Sequence, residues 1–98
     1  VDLTSILSNA LENAVHAVLP LPQGQRRIDF EARMHANRLL LSIKNTFAEK
    51  PRFADGLPVA AKAGHGFGTQ SIRFVTEKLH GSCRFSVEND LFVLQIIL

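Results

Sequence analysis

Two asparagines four residues apart, Asn9 and Asn13 in the stretch "SNALENAVHA", offer carboxamide oxygens from one side of a helix. On a helical wheel Ser5, Asn9, Glu12, Asn13 and His16 fall together, opposite an apolar stripe. Asparagine is a poor helix former, because its amide competes for backbone hydrogen bonds. A pair on one face therefore asks for a reason. Carboxamide oxygens suit a hard cation such as Mg2+, which takes a few protein oxygens and completes its shell with phosphate and water. A second stretch, "GHGFGTQSIRF", sets Gly64, Gly66 and Gly68 just before a helical pattern. Glycines there let the backbone approach an anion closely, and a helix start favours negative charge by about 0.3–1 kcal/mol. Taken singly, each stretch also fits a plain reading: a solvated helix face, a tight turn. Spacing excludes two phosphate loops. No Lys-Ser/Thr pair follows, as a Walker A loop requires, and G-x-G-x-G after a loop is not the G-x-G-x-x-G that follows a strand in dinucleotide sites.

These residues need elements to hold them. Residues 1–19 carry Leu3, Ile6, Leu7, Ala10, Leu11, Ala14 and Val18 at three- and four-residue spacing, which predicts an amphipathic helix. Asp2 or Thr4 caps it, and Pro20, Pro22 and Gly24 stop it. Residues 26–35 and 38–45 predict two strands around a turn at Ala36-Asn37. The first puts Ile28, Phe30, Ala32 and Met34 on one face and Arg27, Asp29, Glu31 and Arg33 on the other; the second is more apolar and therefore more central. Residues 46–66 have no period and read as a lid or binding loop. Residues 68–80 predict a second helix with Ile72, Val75, Thr76 and Leu79 inward, Phe74 to one side, and Gly81 as its terminator. Two last strands, 82–88 and 91–98, surround a turn at Asn89-Asp90. The expected fold is α+β: a two-layer sandwich with two helices on one face of a four-stranded, mostly antiparallel sheet.

Ninety-eight residues fit one small domain. No apolar run is long enough to span a membrane, and the start shows no signal peptide. The chain opens directly on a helical pattern, without an initiator methionine, and reads as a piece of a longer protein. Its net charge of +2 comes from mixed signs spread along the chain, which argues against a nucleic-acid partner. The one cysteine, Cys83, cannot form an internal disulfide and suits a reducing compartment. No His or Cys pair has zinc spacing.

"LSNALENAVHA" followed by "GHGFGTQSIRFVTEKLHGSCRFSVENDLFVLQIIL" resembles the ATP-binding domain of the GHKL superfamily. That group holds gyrase B, heat-shock chaperones of the ninety-kilodalton class, mismatch-repair ATPases and sensor histidine kinases. The chain looks most like the short-lid kinases found among peptide-pheromone sensors. The resemblance implies a truncated Bergerat-type fold, with the first one or two strands lying before Val1. It implies that Asn13 coordinates the Mg2+ bridging the phosphates of ATP, and that Asn9 supports the phosphates or a metal-bound water. His16 stands where many kinases carry a phosphate-contacting lysine or arginine. Gly64, His65, Gly66 and Gly68 form the second glycine box, with the amides of Phe67, Gly68, Thr69 and Gln70 facing phosphate; Thr69 replaces a common leucine. Lys62 reaches a phosphate or stays solvated. The usual Asp-x-Gly-x-Gly box is missing. Asn45 occupies its aspartate's place as acceptor for the adenine amino group, with Asp55-Gly56 as the rival.

In GHKL hydrolases a glutamate one turn before the metal asparagine activates water. This chain has Asn9 there, and an amide takes no proton at neutral pH. Loss of a general base costs about 10²–10⁴-fold in rate. The resemblance therefore implies a kinase, with a histidine on a helical dimerisation domain before Val1 as nucleophile and Glu12 to orient or deprotonate it. A response regulator, a homodimeric full-length protein and a cytoplasmic position in a membrane-bound sensor follow from the same family. The alternatives are a GHKL-type ATPase fragment, and a protein-binding module that keeps the fold without nucleotide.

Overall fold

A computed structural model of the protein describes residues 2–59 and 67–98. Helix α1 (Asp2–Val18) leads through one 3-10 turn (Gln23–Gln25) into the hairpin β1 (Ile28–His35) and β2 (Arg38–Thr46). A small hairpin, β3 (Phe53–Ala54) and β4 (Leu57–Pro58), precedes α2 (Phe67–Lys78), and a last hairpin joins β5 (Ser82–Glu88) to β6 (Leu91–Ile97). The main sheet is antiparallel in the order β1-β2-β6-β5. Both helices lie on one face of it, as the sequence predicts.

Alternation along the strands separates the faces. Leu41 and Ile43 of β2, Phe92, Leu94 and Ile96 of β6, and Phe85 of β5 turn toward the helices and are buried. The helices meet them with Ile6, Ala10 and Ala14 from α1 and Ile72 from α2. α1 and α2 run antiparallel: Lys78 at the end of α2 sits 3.8 Å from Asp2 at the start of α1. Each charge also complements the dipole of its own helix. Past the end of α1, the Arg26 guanidinium donates to the carbonyls of Leu19 (2.9 Å) and Leu21 (3.0 Å), satisfying acceptors where the helix runs out.

The structure corrects three expectations, on α1, on residues 46–66 and on α2, and adds one observation on β1. Leu3 and Leu11 are exposed, so the inner stripe of α1 narrows to Ile6, Ala10, Ala14 and Val18, with Leu7 half-buried. Among the described residues β1 lies at the edge of the sheet, and its apolar side is largely open: Phe30 is 48% and Met34 67% exposed. Residues 46–66 are not wholly without regular structure, because the β3–β4 hairpin forms around a turn where Asp55 and Gly56 both take positive φ. On α2, Leu79 is exposed, while the buried row is Thr69, Ile72 and Thr76.

Two turns show why particular residues end their elements. Ala36 and Asn37 both adopt positive φ (50° and 64°), the geometry that lets a two-residue loop match the strand twist. At the end of α2 the left-handed residue is His80 (φ 62°), not Gly81. Gly81 N–H bonds back to the Thr76 carbonyl (2.9 Å) and His80 N–H to Glu77 (2.9 Å), the paired bonds of a Schellman cap. Glycine is needed at 81 for room: a Cβ there would lie 2.2 Å from the Ile97 carbonyl oxygen.

Two stability predictions follow. Gly81→Ala is expected to lower unfolding free energy by about 1–3 kcal/mol through this clash, while His80→Gly leaves stability unchanged or raises it, both read by urea denaturation. Thr76 is fully buried, and its hydroxyl has no hydrogen-bond partner among the described residues. Thr76→Val removes that penalty and is expected to raise stability by about 1 kcal/mol in the same assay.

Candidate functional site

The packing of α1 decides where its polar residues go. With Ile6, Ala10, Ala14 and Val18 buried, the predicted polar stripe splits. Asn9 and Asn13 become half-buried, whereas Glu12 and His16 stay exposed. Asn9 Nδ2 donates to Ser71 Oγ at 3.2 Å, so the second turn of α2 lies against the asparagine side of α1. One helical turn further along α1, Asn13 lines a cavity of about 390 Å3.

That cavity lies between the end of α1, the sheet and residues 47–59. It brings Asn13, His16 and Asn45 together. Asn45 is 1% exposed, at the end of the buried row of β2, and faces Phe92 of β6 across the ladder. Its Nδ2 donates to the Thr46 carbonyl at 2.9 Å, which leaves Oδ1 as the acceptor for a ligand. Phe92 forms the apolar base. Its ring stacks on Phe53 of the small hairpin (6.3 Å between centroids, 10° between planes) and tilts against Phe85 (6.0 Å). Phe47, Pro20 and Pro58 add apolar wall, and the loop adds two cations, Lys50 and Arg52, and one anion, Glu49. An apolar slot with one inward acceptor and a polar border in which cations outnumber anions is the chemistry of a small-molecule site for a planar base carrying an anion.

The other predicted site residues fall as follows. Glu12 does not line the cavity; its carboxylate is on the exposed flank, 3.7 Å from His16 Nε2. Asp55, the rival of Asn45, lies in the β3–β4 turn on a different groove, one shared with Arg73, Phe74 and Glu77 of α2. Its carbonyl accepts a hydrogen bond from the Arg73 guanidinium, so the turn is tied to α2. Helix α2 begins at Phe67. Thr69 is buried, Gln70 exposed, and a Cβ at Gly68 would meet no atom within 4 Å among the described residues. Lys62, Gly64, His65 and Gly66 lie outside the described residues. No group of three His, Cys, Asp or Glu side chains able to hold a metal occurs among the described residues.

Sequence reasoning missed Phe92, Phe47, Lys50 and Arg52. Phe92 reads as one more apolar residue of a terminal strand, and only the ladder register sets it opposite Asn45. Lys50 and Arg52 flank Pro51 in a segment with no period, where charge alone marks them.

A family profile described as "GHKL domain" matches residues 1–98. The chain belongs to the GHKL family. Domains of this family bind ATP, generally with Mg2+. Among solved structures, the histidine kinase AdeS of Acinetobacter baumannii is similar at TM-score 0.71 and 16% identity, over 99% of this chain and 45% of that one. The blue-light activated histidine kinase EL346 of Erythrobacter litoralis is similar at TM-score 0.71 and 15% identity, over 95% of this chain and 28% of that one. At such identities the likeness is one of fold, and this GHKL chain spans less than half of either kinase. No curated protein matches it significantly. No described helix is long and apolar enough to cross a membrane.

The Arg73 tie has a measurable consequence. A hydrogen bond of this kind contributes about 0.5–1.5 kcal/mol net. Arg73→Ala is therefore expected to speed amide exchange at Val59, whose N–H closes the hairpin on the Arg52 carbonyl at 2.7 Å, by about two- to tenfold in hydrogen-exchange mass spectrometry.

Proposed function

We propose that this GHKL chain is the ATP-binding catalytic domain of a sensor histidine kinase, holding Mg-ATP so that its terminal phosphate reaches a histidine on a separate dimerisation domain. The observation that carries the proposal is the convergence of Asn13, His16 and Asn45 on one cavity with an aromatic base.

The residues present fit the nucleotide. Asn45 Oδ1 accepts from the exocyclic amino group of adenine, a neutral acceptor where much of the family uses a charged one. Phe92 and Phe47 supply apolar surface for the base. Asn13 offers its carboxamide oxygen to Mg2+, and His16, Lys50 and Arg52 give donors for phosphate oxygens. The N-terminal end of α2, beside Asn9, adds the partial positive charge of its dipole. Bound Mg-ATP would supply the transferable phosphoryl group and the cation that screens its charge. Asn9 cannot accept a proton from water, so this chain lacks the base that a hydrolase keeps at that place. Glu12, exposed beside His16, is available to an incoming side chain rather than to the cavity interior. The response regulator and the homodimeric, membrane-anchored full-length protein belong to the same proposal.

Titration calorimetry with a non-hydrolysable ATP analogue tests the binding. With Mg2+ present, Asn13→Ala is expected to weaken affinity about tenfold or more, and to matter much less in EDTA. Radiolabelled ATP mixed with this domain and a histidine-bearing dimerisation domain then separates the activities. Acid-labile phosphate on the second domain supports the kinase. Inorganic phosphate alone points to an ATPase, and absence of nucleotide binding to a protein-binding module; either overturns the proposal.

A further inference from the structure

The rung of the β1–β2 ladder next to Asn45 is not closed by backbone alone. Asn45 faces Ile28, so the next pair along is Thr46 and Arg27. Thr46 N–H donates to the Arg27 carbonyl at 3.0 Å, as in a hydrogen-bonded antiparallel pair. In a regular pair the Arg27 N–H would return the bond to the Thr46 carbonyl. Here it donates to the Thr46 hydroxyl, at 3.1 Å. The hydroxyl in turn donates to the Gln25 carbonyl at 2.8 Å, at the end of the 3-10 turn that leads into β1. The Thr46 carbonyl is thereby left to accept from Asn45 Nδ2 at 2.9 Å.

That last bond decides which end of the carboxamide enters the cavity. A backbone carbonyl only accepts, so the end of the amide beside it must be the NH2, and the oxygen lies on the other side. Turned over, Asn45 would offer its NH2 to the cavity and set its oxygen against the Thr46 oxygen. Asn45 is 1% exposed, so little water could relieve that conflict.

We infer that the Thr46 hydroxyl is a positioning group that sets the base specificity of the site: it takes the Arg27 N–H, keeps the Thr46 carbonyl for Asn45 Nδ2, and so holds Oδ1 toward the ligand. The inference rests on the nucleotide reading of the cavity. An inward oxygen accepts from a purine with an exocyclic amino group at the place it meets, as in adenine. It repels the oxo group that hypoxanthine carries there. Without the hydroxyl, the Arg27 N–H competes for the Thr46 carbonyl, as in a regular ladder. The carboxamide is then held less firmly and can turn to suit either base, oxygen to an amino group or NH2 to an oxo group. Thr46 itself does not line the cavity, so its effect on a base passes through Asn45.

The test is titration calorimetry of the 98-residue chain with ADP and with IDP, both with Mg2+. A preference for ADP of about tenfold or more is expected. Thr46→Val keeps the side-chain shape, removes the hydroxyl, and is expected to cut that preference about two- to tenfold. Thr46→Ser retains the hydroxyl and is expected to retain the preference. Arg27→Pro removes the competing N–H just before the strand, where proline is tolerated, and is expected to restore the preference of the Thr46→Val chain. Asn45→Ala is expected to abolish the preference, and adding Thr46→Val to it leaves the ratio where it is. A general loosening of the fold weakens both nucleotides alike and does not move the ratio; urea midpoints check that each variant folds. A Thr46→Val chain that keeps the full preference overturns the inference and leaves the nucleotide site standing. So does a wild-type chain that binds ADP and IDP equally. A chain that binds neither overturns the reading of the cavity, and this inference with it.

Discussion

The rotation of α1 about its own axis is the constraint on which the site depends. Four apolar positions, Ile6, Ala10, Ala14 and Val18, recur every fourth residue and are all buried. Two of them are alanines, which let the helix come close to its neighbours. A helix advances about 100° per residue, so burying those four carries Asn9 and Asn13 to the flank shared by α2 and the cavity. The two carboxamides are thus aimed by hydrophobic packing elsewhere on the helix. The Asn9–Ser71 hydrogen bond then sets the second turn of α2 beside them.

The sheet contributes the opposite wall by the same economy. Along β2 the inward row reads Leu41, Ile43, Asn45: two core residues and then an amide, just where the row emerges from beneath the helices. Because Nδ2 is held by the adjacent backbone carbonyl, the amide presents its oxygen in a set direction. Asp55 lies instead on a different groove, in a tight turn against α2 where its backbone carbonyl accepts from Arg73.

Much of this was legible because it rests on local rules. Both helices, all four long strands and the turns at Ala36-Asn37 and Asn89-Asp90 follow from periodicity and turn chemistry, and their one-sided stacking from the count of layers. Strand pairs of two residues, as in β3–β4, carry no period and escaped notice. The alternation in β1 correctly separated its faces, yet alternation says nothing about whether a face is covered, and this one is not. Gly81 looked like the left-handed terminator of α2, whereas a distant strand, through Ile97, explains its lack of a side chain. At the site, Asn13 and His16 were visible in the polar stripe of α1 and Asn45 only through the family resemblance; Phe92 was not visible, because its role comes from a ladder partner half the chain away.

The position of Phe92 reaches beyond ligand contact. One ring serves as the base of the cavity, clasps the small hairpin through Phe53 and fills the core beside Phe85. Evolution cannot reshape that end of the pocket without also loosening the domain. Divergence in ligand preference should accordingly accumulate at the solvent-facing margin, around Lys50 and Arg52, while the aromatic base stays frozen for mechanical reasons alone.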